Sequence, residues 1–174
     1  IAGQAKLKTN QTVTDTYSLD GSIQHQDVTV TYSMNNRTGR ILNVTGLGTF
    51  NSNDGFGNVT VGTITQEYMQ ELIDRYQVAR IEKTVNESDG LNRDGSKVHS
   101  KSTVTNTYDM LTTKQTGVSG YGTNTSNDGF GNVTTGESWQ TYDLEVLLKT
   151  GQARVKENHT ISKTDNNDGI PPDN

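Results

Sequence analysis

The nine-residue string SNDGFGNVT occurs twice, at 52–60 and at 126–134. Nine identical residues do not converge independently, so the chain carries a tandem duplication, and a repeat constrains the fold more than any local propensity. The match extends at the same offset of 74 residues. Gly46-Leu47-Gly48-Thr49 aligns with Gly120-Tyr121-Gly122-Thr123, Tyr68 with Tyr142, and Ala79-Arg80-Ile81 with Ala153-Arg154-Val155. Upstream lie three variants of one strand-like heptad: VTDTYSL at 13–19, VTVTYSM at 28–34 and VTNTYDM at 104–110.

The local patterns are those of β-structure. In 27–34, Val28, Val30, Tyr32 and Met34 alternate with Thr29, Thr31 and Ser33, the period of a half-buried strand. Each repeat reads as about four strands: 27–34 or 102–110, 40–50 or 116–125, 57–65 or 131–139, and 76–85 or 152–161. The second of these ends in glycines, where a bulge or a close backbone approach is expected. Asp-Gly pairs at 20–21, 54–55, 94–95, 128–129 and 168–169 supply the positive φ that tight reversals need, and a further turn cluster is expected at 88–90. Short turns make sequential strands antiparallel neighbours. The expected fold is therefore all-β and antiparallel, with an N-terminal strand or hairpin over 1–24 and repeats over 25–97 and 98–174. One segment resists this reading. Tyr68, Met69, Leu72, Ile73 and Tyr76 fall at helical spacing, whereas Tyr142, Leu144, Val146 and Leu148 alternate. The extended reading is preferred for both, with a short helix in both copies, near 66–75 in the first, as the alternative.

Composition excludes several classes. Apolar residues make up 29% and the 18 glycines about a tenth more, below the ~45–50% of ordinary domains, so the core is expected to be thin. A net charge of −5 without a basic cluster argues against nucleic acid as a partner. No apolar run approaches the ~18 residues of a membrane span. The chain opens on Ile1 rather than Met, as a processed N-terminus or a fragment would, and it has no cysteine for disulfides.

No catalytic constellation is expected. His25, His99 and His159 are widely spaced, without metal-ligand spacing, and read as solvated strand histidines. Asp54 and Asp128, with Glu67 and Asp143 nearby, read as turn chemistry rather than as the flanking carboxyls of a glycosidase. The oxygen-rich runs NSNDGFGN and TSNDGFGN also resemble fragments of calcium loops, which makes Asp54 and Asp128 the candidate ligands of a calcium ion. No other cofactor is expected. Trp139, Tyr121 and Tyr142 are a candidate glycan-stacking set, although only the Tyr68/Tyr142 ring recurs, which favours packing. N-x-S/T sequons begin at Asn10, Asn36, Asn43, Asn58, Asn86, Asn124, Asn132 and Asn158, against roughly 4 by chance in a chain this rich in Ser and Thr. They are candidate acceptors of N-linked glycans.

With its Thr/Asn/Gly-rich strands, repeats, sequons and missing cysteines, the chain resembles self-assembling extracellular β-sheet proteins: archaeal sheath and surface-layer proteins and bacterial β-fibre subunits. The resemblance is one of overall character and transfers no functional residue. It implies a non-enzymatic structural subunit at the cell surface whose partners are copies of itself, joined through strand edges that few prolines or lysines guard. The alternative is a repeat module of an adhesin or carbohydrate-binding protein. An enzyme ranks last.

Overall fold

The structure, a computed structural model, describes residues 6–166. Nine strands form one antiparallel meander sheet in the order β1 to β9: β1 Thr9–Tyr17, β2 Ile23–Met34, β3 Ile41–Asn53, β4 Val59–Tyr68, β5 Ile81–Leu91, β6 Lys97–Tyr108, β7 Gln115–Asn127, β8 Val133–Tyr142 and β9 Val155–Asp165. Helix α1, Gln70–Tyr76, joins β4 to β5, and α2, Leu144–Thr150, joins β8 to β9. The sheet runs unbroken through β5–β6 pairing, and the limits 24/25 and 97/98 fall within β2 and β6. Every element from β2 to β5 reappears 74 residues later. The β1–β2 and β5–β6 ladders are in the same register, Thr9↔Thr31 and Lys83↔Thr105, which makes β1 the counterpart of β5.

Side chains of opposite parity lie on opposite faces. The even-numbered face carries both helices, α1 on β3 and α2 on β7. Beneath and within α1 lie Val44, Ile64, Leu72 and Ile73, and Leu147 anchors α2; among the described residues these five are the buried apolar side chains. Glycine lets cross-strand side chains lie flat on this face. A Cβ at Gly62 would strike the Phe50 ring and come within 2.6 Å of the Glu87 carbonyl. At Gly48 the expected close backbone approach is present, since a Cβ there would come within 2.5 Å of the Asp27 carbonyl oxygen, but no bulge forms at Gly46 or Gly48; the register shifts fall at Ser33/Met34, Glu67/Tyr68, Thr107/Tyr108 and Thr141/Tyr142. Among the described residues, no helix or strand covers the odd-numbered face.

Three expectations are corrected. The segments after Tyr68 and Tyr142 turn into helices rather than continuing as strands. The alternation in 142–148 misleads because it omits Leu147, the one residue of α2 that is buried, whereas Leu144 and Leu148 are exposed. Asp143 caps α2, accepting from the Val146 N–H at 3.0 Å. Second, Ser88-Asp89-Gly90 is not a turn but lies inside β5, which begins at Ile81 and runs to Leu91. Third, the heptads at 28–34 and 104–110 are not structural equivalents. Val30 faces Gly46 and Val104 faces Gly120, so Val104 stands where Val30 does. A two-residue slide preserves the face of each side chain that lies in the strand, which is why the resemblance survives over 104–108. No helix among the described residues is long and apolar enough to cross a membrane.

Candidate functional site

The meander gathers the β1–β2, β3–β4, β5–β6 and β7–β8 turns along one rim of the sheet. The duplicated string forms the second and fourth of them. Asn53 Oδ1 accepts the Gly55 N–H at 2.9 Å, and Asp54 Oδ1 accepts those of Phe56 and Asn58 at 2.8 and 3.1 Å. Asn58 Nδ2 donates to Asp54 Oδ2, while Asn58 Oδ1 accepts the Arg93 N–H at 2.9 Å and ties this turn to the next. Gly55 and Gly57 hold φ of 80° and 99°, as Gly129 and Gly131 hold 83° and 101°. In the second repeat Asp128 accepts from Phe130, Asn132 and the Asn132 amide in the same way. The β1–β2 and β5–β6 turns are built alike, with Asp20 and Asp94 each accepting a Ser N–H at 2.9 Å. The fifth Asp-Gly pair, 168–169, lies outside the described residues.

These donors hold all four carboxyls below their ordinary value, with the N–H of Phe56, Phe130, Ser22 and Ser96 as the largest cause at Asp54, Asp128, Asp20 and Asp94 respectively. Both oxygens of Asp54 and of Asp128 are thus occupied within their own turns. Among the described residues no three His, Asp or Glu side chains converge as metal ligands. The rim is acidic, with Arg93 the one cation in its four turns.

The sequons are spread over the molecule. Asn10, Asn36, Asn43, Asn124 and Asn158 are exposed, and Asn58, Asn86 and Asn132 are half-buried. Asn58 and Asn132 each direct Nδ2, the atom a glycan would take, at the turn carboxylate.

Sequence reasoning missed a repeated pair. His25 Nδ1 lies 2.6 Å from Asp15, and His99 Nδ1 lies 2.8 Å from Asp89, both across adjacent strands of the odd face. The signal was present, because both members recur at 74 residues. His159 instead lies 3.8 Å from Glu157. Tyr121 and Trp139 face each other on the odd face with ring centroids 5.9 Å apart, but Tyr142 points to the helix-bearing side and donates to Gln140. The three rings therefore do not form one platform.

The two edges of the sheet are the other large feature. All nine residues of β1 and all eleven of β9 are exposed, and no described residue pairs with the outer side of either strand. No family model, curated protein or solved structure matches this chain.

Proposed function

We propose that the protein is a structural subunit that polymerises outside the cell through its sheet edges into a filament, sheath or surface layer. The observation that carries this reading is that β1 and β9 both present a full strand length of backbone with which no described residue pairs. Such an edge templates addition of another strand. An internal precedent supports it: β9 is the 74-residue counterpart of β5, and the outer side of β9 corresponds to the side on which β5 receives β6. The thin one-sided core adds to the tendency, since a subunit with little buried apolar surface gains most from its neighbours. N-linked glycans on exposed sequons such as Asn36 and Asn43 fit a surface location.

Electron microscopy and light scattering of the purified chain test the proposal. Residues alternate along a strand in pointing N–H inward or outward, so of Thr12→Pro and Val13→Pro one removes an outward donor and the other an internal ladder bond. The variant that keeps the native circular dichroism is expected to lose ordered polymers. Uniform monomers from the wild-type chain would overturn the proposal. A second reading, a glycan-binding module, is favoured only by the exposed Tyr121–Trp139 pair, and it requires saccharides to quench Trp139 fluorescence saturably.

A further inference from the structure

In the duplicated turn every residue but one has a structural task. Asn53, Asp54 and Asn58 accept or donate the turn's hydrogen bonds, and the glycines supply positive φ. The hydrogen bond at Phe56 is made by its backbone N–H, which any residue but proline could supply, yet phenylalanine stands there in both repeats. Its ring is 68% exposed at Phe56 and 84% at Phe130. Two unburied aromatic rings thus project from an acidic rim, on turns four strands apart, roughly 19 Å at normal strand spacing.

The opposite rim holds a receptacle of complementary character. A cleft of about 660 Å³ opens between α2 and the β6–β7 loop, its lining including the half-buried Tyr108, the exposed Leu148 and the cations Arg80, Lys114 and Lys149. The charged groups around it are mixed but lean basic: Lys149 pairs with Glu145 at 2.6 Å, and the Asp109 carboxylate turns back onto its own loop N–H groups. One difference between the repeats lies in the lining of this cleft. At the end of α1, Gln77 bridges helix to sheet, accepting the Ile41 N–H at 2.6 Å and donating to the Ile73 carbonyl at 2.6 Å. Its counterpart 74 residues on is Gly151, which has no side chain to make that bridge.

We propose that this cleft receives the NDGFG turn of a second molecule, the Phe ring seated on Tyr108 and Leu148 and the turn carboxylates facing Arg80 and Lys114. The contact joins molecules rim to rim, at right angles to edge pairing and independently of it. Burial of an aromatic ring supplies the affinity, and the opposite charges select the acidic rim as occupant and make the contact salt-sensitive.

A fluorescently labelled cyclic peptide containing TSNDGFGNVT, titrated into the full chain and followed by anisotropy, tests this. Saturable binding is expected, weakened by at least about tenfold on changing the peptide's Phe to Ala and on raising NaCl from 50 to 500 mM. Gly151→Gln restores the plug of the first repeat at a backbone angle that Gln77 itself tolerates, and is expected to reduce binding similarly; Leu148→Glu, at an exposed position, is the second variant. Absence of binding, equal binding of the Ala peptide, or unchanged binding to both protein variants overturns the proposal. So does partition of the peptide into phosphatidylcholine vesicles more strongly than onto the protein, which would make a lipid surface the partner of the rings.

Discussion

Ile73→Ala probes how much of this sheet depends on its short helices. Helix α1 has seven residues, too few to be helical in isolation, so its stability comes from seating Leu72 and Ile73 on the sheet, where both are fully buried. Truncating a buried Ile to Ala costs about 2–5 kcal/mol, the upper values where the site cannot collapse. The α1 site rests on a single sheet layer, chiefly β3, and can partly close, so about 3 kcal/mol is expected. With a urea slope of about 2 kcal/mol/M, the midpoint read by far-ultraviolet circular dichroism falls by about 1.5 M. Trp139, the one tryptophan, sits in β8, remote from α1. Each strand touches only its neighbours in the meander, so the Trp139 fluorescence midpoint is expected to move by less than half as much. A circular-dichroism midpoint within about 0.3 M of wild type would refute the claim that helix docking holds the first half of the sheet together.

Three further outcomes follow from the geometry. Gly62→Ala places a methyl group against the Phe50 ring and the Glu87 carbonyl, and is expected to lower stability by about 1–3 kcal/mol in thermal melts. Asp54→Asn sets an amide donor against the Asn58 amide and removes an acidic titration. Because hydrogen bonds lower the folded-state value of Asp54 below its ordinary 3.8, its stabilisation is present above that value and is lost as pH falls through the folded one. The variant should therefore melt lower at pH 7 and show a flatter decline below pH about 4. A double-mutant cycle on Asp89 and His99, an exposed pair, is expected to give a coupling of about 0.2–1 kcal/mol by chemical denaturation, and less in high salt.

Much of the fold was legible because turn chemistry is local. Asp-Gly at 20–21, 54–55, 94–95 and 128–129 lies in the turns that the structure places there. Asp89-Gly90 deceived because nothing local separates a turn from a strand whose partner tolerates glycine; Gly90 pairs with Thr60 and Val98. The helices were half legible. The spacing of Leu72 and Ile73 announced α1, but in α2 a chance alternation outweighed the single buried Leu147. The pairing of Asp15 with His25 required the register of two strands, which neither strand alone specifies. The cleft beside α2 lay furthest from view, since no motif marks it and its lining is drawn from three separate segments of the chain.

The count of nine strands has a consequence for assembly. Nine is odd, so β1 and β9 point the same way. An antiparallel junction between two molecules must then invert the newcomer. If β9 meets β9 across a dyad normal to the sheet, all helices stay on one side and the acidic rim falls alternately on the two borders of the ribbon. If β9 meets β1 antiparallel, the helices alternate sides and the ribbon has two equivalent surfaces. Only a parallel junction preserves both senses. Strand parity thus links the hand of a single contact to the symmetry of the whole array, and a projection showing helices on one surface or on both would distinguish the junctions.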